Sequence, residues 1–347
     1  MTTTTPIKVV QWATGNIGTR AMRAVIEHPE LELVGLWVHS ADKAGRDAAE
    51  LVGLDEPTGV VATNDVDEIV GFDADVVLYM PQGCDFDVVC RLLASGKDVV
   101  TTRGEFHRPA SLPDDVRAKV EQACDEGGTS IHSTGSSPGF ITEAVPIVLT
   151  SLSRRVDRLT IEEFADMSKR PSPQLMFDIM GFGKDPADLK PGRAQHLQHA
   201  FGPSLQVTAE ALGLPLDGFE SSEELAVATA DTEVAAGTVK AGTVGGMRTV
   251  ISGMRGGEEL IRFVATWWCV DDLDQQWDVL PTGWRVRVAG DVPMDVRLEF
   301  DVPIERMAEH SPGFTAHRAV NAVRVVHEAP PGIRTTPELP QVIARLS

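Results

Sequence analysis

Glu105 is the residue of this chain best suited to move a proton. It follows Gly104 and precedes Phe106 in TTRGEFHRP, directly after the apolar run KDVVTT. A carboxylate held against an apolar wall keeps its proton closer to neutral pH, which suits a general acid or base. A glutamate on a surface loop is the plainer alternative. His107 is a second acid–base candidate, or a packing neighbour of Glu105. The next chemical feature is a turn. In IKVVQWATGNIG an apolar run stops at Ala13-Thr14-Gly15-Asn16-Ile17-Gly18, and an amphipathic stretch follows to His28-Pro29. Strand, glycine turn and helix in that order are the context of a dinucleotide-binding fingerprint. Gly15 lets the backbone approach a pyrophosphate, Gly18 lets the helix lie against the strand, and the helix start offers unpaired N–H groups. Thr14, Asn16 and Ile17 share that turn, while Ala13 stands where the first glycine is usual.

The second apolar run, LELVGLWV, ends at His39-Ser40, with Lys43 and Arg46 just beyond. NAD sites place a carboxylate about 20 residues past the glycines to hold the ribose hydroxyls. Here two cations and a hydroxyl stand there instead, so NADP(H) is preferred and NAD(H) is possible, with Asp42 as the nearby acid. A solvated charged loop is the alternative.

These groups need a scaffold. Short apolar runs at 59–62, 74–80, 97–102 and 129–133 alternate with helical stretches at 85–95 and 113–126. That alternation predicts an α/β fold with a doubly wound parallel (Rossmann-type) sheet over residues 1–140, with ligands beyond the carboxyl ends of its strands. Met80, Pro81, Thr101, Arg103 and Ser137 (in TGSSPGF) lie at those ends and join the cofactor candidates. Residues 141–312 read as an α+β domain. It opens with a helix at 143–152 and a strand at 156–164, and from 223 to 302 long extended runs predict a mostly antiparallel sheet. A helix at 317–327, in the segment 313–347, returns to the first domain. Phe164, Met167, Phe177, Met180 and Trp267-Trp268 read as core; with Phe140 and His199, some of them are candidates for a substrate pocket. His196 and His199 are three apart on a helix, without a matching carboxylate or cysteine, so no metal is expected.

Composition bounds the partners. The 347 residues carry 31 basic and 51 acidic side chains, a net charge of −20, which argues against nucleic acid and anionic membranes. Four scattered cysteines without CxxC spacing read as reduced thiols. The mean hydropathy is −0.06. With no apolar signal region in MTTTTPIK and no run long enough to span a bilayer, a cytoplasmic protein is expected.

VVQWATGNIG, HSADKAGRDAAEL, TTRGEF, TGSSPGF and RAVNAVRVVHEAPPGI together resemble the 2,4-diaminopentanoate dehydrogenase and native amine dehydrogenase family, proteins commonly described by a dihydrodipicolinate reductase N-terminal domain. The resemblance implies an NAD(P)H-binding domain, a second domain that makes a homodimer, and reductive amination of a small carbonyl compound with ammonia, or its reverse. It gives Glu105 the catalytic role: taking a proton from ammonium or amine and assisting loss of water. A His-His-x-x-Lys motif, as in true dihydrodipicolinate reductases, is absent from the sequence. Phe106 stands where sugar dehydrogenases of similar architecture carry the lysine of Glu-Lys-Pro, and Ser137 where relatives often have Asn. Nothing resembles a paired-cation clamp for an α-carboxylate, so small aliphatic aldehydes, ketones and amines are the expected substrates. Two other readings remain: a carbonyl or imine reductase that does not use ammonia, and a non-catalytic NADP(H)-binding sensor.

Overall fold

The computed structural model describes residues 5–345; Met1–Thr4, within the stretch read as lacking a signal region, and Leu346–Ser347 lie outside the described residues. The chain forms two compact units, one from the residues up to Ala144 together with those from Ser311 on, the other from Val145–His310.

The first unit is built on a seven-stranded sheet. Strands β1 (Ile7–Trp12), β2 (Leu31–Trp37), β3 (Ala62–Thr63), β4 (Val76–Tyr79), β5 (Asp98–Thr101) and β6 (Ser130–Ser133) are joined by a two-residue strand, Gly332–Ile333. The order is Gly332–Ile333, β6, β5, β4, β1, β2, β3, and every pair is parallel. Alternate residues of the buried strands serve opposite faces: Val9, Val76 and Leu78 join one core, Val10, Val77 and Tyr79 the other. Helix α1 (Asn16–Ile26) covers the first face with Ala21, Met22 and Val25. Short helices α2 (Ala48–Val52) and α3 (Val66–Gly71) lead to α4 (Phe86–Ala94) and α5 (Asp114–Gly127), which bring Val89, Leu92, Leu93, Val120 and Ala123 to the second face. Crossovers of this kind bring the carboxyl ends of the parallel strands to one edge.

The second unit begins with α6 (Val145–Thr150) and β7 (Val156–Asp166), followed by α7 (Arg193–Ala211). Then come β8 (Gly218–Val227), the hairpin strands β9 (Thr232–Val234) and β10 (Gly237–Val239), β11 (Val244–Arg255), β12 (Glu258–Trp268), β13 (Gly283–Gly290) and β14 (Met294–Glu299). Its large sheet runs β14-β13-β7-β12-β11-β8. It is antiparallel except between β12 and β7, so β7, first in sequence, lies inside the sheet. Phe201 of α7 stacks on Phe263 of β12 at 4.4 Å between ring centroids, which fixes the face that the helix covers.

The last helix, α8, runs from Ile304 to His327, well before the expected start at 317. Ser311-Pro312-Gly313 reads as a breaker in sequence. The helix nevertheless runs through Pro312, because its later turns bury Ala316, Ala319, Val320, Val323 and Val326 against the first sheet. No helix among the described residues is long and apolar enough to cross a membrane.

Candidate active site

The glycine turn is built for a close approach of backbone. Ala13, in place of the usual first glycine, adopts a left-handed conformation at φ 75°, fixed by its N–H bond to the Trp37 carbonyl at 2.9 Å. α1 then starts at Asn16, with no side-chain cap on its N-terminus and no acid in its first turn. A Cβ on Gly18 would lie 2.2 Å from the Ala13 carbonyl oxygen, so helix and turn touch as only glycine permits. A Cβ on Gly15 would meet nothing within 4 Å. Open space over uncapped helical N–H groups fits the pyrophosphate of a dinucleotide. Ile17 packs on the first core, and the Asn16 carbonyl accepts from Arg20 Nη1 at 2.9 Å.

Of the groups expected beyond β2, the structure brings one to this turn. Lys43 Nζ donates to Thr14 Oγ1 at 3.1 Å and to the Thr14 carbonyl at 3.3 Å. His39 is exposed beside Trp37. The Ser40 hydroxyl bonds to the Asp42 carboxyl and holds it below its ordinary range. Arg46 is taken up by Glu50 at 3.2 Å.

The ends of β4, β5 and β6 carry the remaining first-unit candidates. Met80 is buried with its N–H on the Trp12 carbonyl at 3.1 Å, and Pro81 follows it. Thr101 Oγ1 donates to the Tyr79 carbonyl at 2.6 Å and accepts from the Arg103 N–H at 3.0 Å, so it braces two neighbouring strand ends. Arg103 reaches out from there: Nη1 donates to the Gln82 carbonyl at 2.6 Å, and Nη2 grips Glu105 Oε1 at 2.7 Å. The other Glu105 oxygen, Oε2, is buried with no hydrogen-bond partner among the described residues. The apolar wall expected beside Glu105 is therefore replaced by an ion pair. Phe106 turns inward instead: it is fully buried, edge-on to Phe86, with its N–H on Ser133 Oγ at 3.1 Å. His107 is also drawn inward, its Nδ1 2.7 Å from Glu143 Oε1, while the Thr336 hydroxyl bonds Oε2 of the same glutamate. Beyond β6, Ser137 Oγ is a second buried oxygen without a partner. So is Thr134 Oγ1, which the sequence does not mark as a donor. Phe140 lies under the Arg318 guanidinium at 5.8 Å. None of the thiols offers a nucleophile at neutral pH: burial pushes Cys84, Cys124 and Cys269 up to about 12 and raises Cys90.

The second-unit candidates divide between the two faces of a sheet. Phe164 pairs in register with Thr266, and Asp166 with Trp268, so Phe164 and Trp268 share one face. Met167 and Phe177 meet in an apolar cluster with Met176, Phe182, Met247 and Trp267, on the other side. His199 is exposed on α7. A residue that sequence reasoning missed occupies the Trp267 side. Glu163 accepts from Trp267 Nε1 at 3.1 Å on one carboxylate oxygen and from Trp284 Nε1 at 3.0 Å on the other. The signal was present: consecutive glutamates in a strand, Glu162-Glu163, must point to opposite faces.

Comparison with known proteins agrees with this architecture. Residues 140–347 match the family described as the 2,4-diaminopentanoate dehydrogenase C-terminal domain, and residues 8–100 match the dihydrodipicolinate reductase N-terminus. An amine dehydrogenase of Streptomyces virginiae is 30% identical over 350 residues, covering 96% of each chain. A 4-hydroxy-tetrahydrodipicolinate reductase of Nostoc punctiforme is 41% identical over 75 residues, 21% of this chain and 27% of that protein. Among solved structures, the amine dehydrogenase of Mycobacterium smegmatis shares the fold over 98% of this chain and 97% of its own, with a TM-score of 0.78 at 18% identity. The matched N-terminal and C-terminal domains and the relative that aligns over 96% of each chain together make this chain an NAD(P)-dependent oxidoreductase belonging to the 2,4-diaminopentanoate dehydrogenase and amine dehydrogenase family.

Proposed function

We propose that the protein is an NADPH-preferring amine dehydrogenase that aminates small aliphatic aldehydes and ketones with ammonia, and in reverse deaminates the amines. The observation that carries this reading is Glu105: one oxygen clamped by Arg103, the other buried and unpartnered at the carboxyl end of β5. That free oxygen accepts a proton from ammonium, releasing a nitrogen lone pair for attack on the carbonyl carbon. Once the C–N bond has formed, the same carboxyl returns the proton to the hydroxyl that leaves as water, and an iminium remains. Bound NADPH supplies the hydride that reduces the iminium carbon. The glycine turn at Thr14–Gly18 is assigned to the pyrophosphate, Lys43 with His39 and Ser40 to the 2′-phosphate, and Ser137 with Thr134 to the nicotinamide amide. Arg103 positions Glu105.

The test is NADPH oxidation, followed by absorbance, with a panel of small aldehydes and ketones in the presence and absence of ammonium. Oxidation that requires ammonium supports the proposal. Oxidation without ammonium makes the protein a carbonyl reductase, and NADPH binding without turnover makes it a sensor. We further assign a homodimer, by family resemblance and by the mixed-charge face of the second sheet, where Arg158, Arg248, Arg262 and Arg287 stand beside Glu162 and Glu259, and a cytoplasmic location, by the free cysteines. Light scattering of the purified protein tests the first of these.

A further inference from the structure

We infer that Glu143 is a positioning residue for Glu105, acting through His107, and that the C-terminal segment at Thr336 completes the clamp. The role rests on the reading of Glu105 as the acid–base, whereas the clamp itself stands on the geometry of the first unit. Glu105 sits in a single short turn, Gly104–Phe106, closed by the His107 N–H on the Gly104 carbonyl at 3.3 Å. A bond so long holds a turn weakly, so the neighbours of the turn decide where the carboxylate stands. On the near side, Ser133 Oγ donates to the Arg103 carbonyl at 2.6 Å and accepts from the Phe106 N–H at 3.1 Å. On the far side the anchor is the His107 side chain, buried, with Nδ1 2.7 Å from Glu143 Oε1.

Glu143 is fully buried, and His132 of β6 and Arg318 of α8 lie within electrostatic reach of the same carboxylate as His107. Burying such a group is costly, and an apolar pair of the same volume serves stability as well or better. What the charged pair adds is direction: it fixes the ring of the residue next but one to Glu105. The Thr336 hydroxyl bonds the other Glu143 oxygen, and its own place is built. The Arg334 N–H bonds the Ile131 carbonyl at 2.8 Å, which lays the tail beside β6. The Thr335 N–H and hydroxyl both bond Glu338 Oε2 at 2.7 Å, capping the turn that presents Thr336. Tail, Glu143, His107 and Glu105 thus form one chain of contacts, opposite in direction to the grip of Arg103 on Glu105. A misplacement of about 1 Å at a reacting group costs on the order of 10²-fold in rate, so a clamp of this kind matters for turnover.

The experiment has two arms. The first follows hydrogen exchange by mass spectrometry in peptides covering residues 102–110 of the full chain, comparing the unaltered protein with Glu143→Gln, Thr336→Val and Thr336→Ser. Exchange roughly threefold or more faster in Glu143→Gln and Thr336→Val, with Thr336→Ser near the unaltered protein and peptides of β2 unmoved, is expected. Unchanged exchange in both overturns the clamp. The second arm measures ammonium-dependent NADPH oxidation with the panel of aldehydes and ketones. Glu143→Gln is expected to lower kcat roughly 10–100-fold and Thr336→Val roughly threefold to tenfold, with KM for NADPH within about twofold and Thr336→Ser restoring turnover. Placed on Glu105→Ala, neither change lowers the residual turnover further, because both act through that carboxylate. A further loss of the same size there, or full kcat in Glu143→Gln beside a low kcat in Glu105→Ala, overturns the positioning role. Full turnover in Glu105→Ala overturns the reading of Glu105 instead, and no turnover by the unaltered protein overturns the dehydrogenase reading; in both cases the exchange arm still decides the clamp. Should Glu143→Gln fail to fold, the two threonine variants carry both arms.

Discussion

The two units hold their candidate groups in different ways. The first keeps its candidate groups at the ends of parallel strands, where Glu105 is clamped by Arg103, two residues away. The second keeps them on the face of a sheet, where Glu163 is held by two tryptophans that arrive from β12 and β13. A strand-end site depends on local turns and tolerates change elsewhere in the sheet. A sheet-face site exists only when β7 lies between β12 and β13 in the correct register, since a slip of one residue exchanges Glu163 for Glu162.

Experiments can press on that contrast. The largest effect is expected at the strand end. Glu105→Ala should lower kcat for reductive amination by roughly 10²–10⁴-fold, the span of a general acid–base, with NADPH affinity measured by fluorescence left within about twofold. Full turnover in that variant would remove Glu105 from the mechanism. Next comes the acid limb of stability in the first unit. His132 on β6 is buried with Nδ1 on the Arg334 carbonyl at 2.7 Å, and burial lowers its pKa from 6.5 to about 4. Between those values the unfolded chain binds the extra proton, so this contribution is complete above about pH 6.5 and is lost as pH falls towards 4. The loss amounts to at most about 3 kcal/mol. His132→Asn keeps a donor but cannot titrate, and urea melts across this range should show the slope flattened. The two turn glycines separate stability from binding. Gly18→Ala should cost about 1–3 kcal/mol because its methyl meets a backbone oxygen, whereas Gly15→Ala should leave the melting temperature in place and weaken NADPH binding. Equal effects on stability would contradict the geometry of the turn. Lys43→Ala should raise KM for NADPH roughly tenfold and leave KM for NADH nearly unchanged. The smallest effect lies on the exposed side of the second sheet, where Glu162→Gln leaves Arg287 without its carboxylate while Arg285 keeps Asp295, and should cost at most about 1 kcal/mol in a urea melt.

The same contrast explains how much could be read in advance. Unbroken apolar strands such as VVLY, the glycines of the first turn and the aspartate caps of the helices are local signals, and they outlined the first sheet and the ends of its strands. The partner of Glu105 was not legible. A guanidinium two residues earlier can turn to solvent or back to the carboxylate, and only the anchor on the Gln82 carbonyl decides it. His107 looked available because its partner, Glu143, comes from a distant segment that Thr336 also reaches. On the second sheet, Trp267 and Trp284 follow Glu163 by 104 and 121 residues, and no periodicity in one strand reports such pairings. Pro312 concealed the first turns of α8 for the opposite reason: a strong local breaker was overruled by burial.

The division of the first unit into two stretches of sequence has a consequence for how the protein is made. Val9, Val76 and Leu78 need the apolar side of α8 as well as that of α1, and Ile131 on β6 needs Ile333 beside it. On the ribosome the early strands emerge long before those partners, because residues 145–310 are made in between, which takes roughly 10–30 s at ordinary elongation rates. During that interval one face of the nucleotide-binding sheet has only part of its cover. The second unit, continuous in sequence, has no such wait, so the half of the molecule begun first is the half completed last.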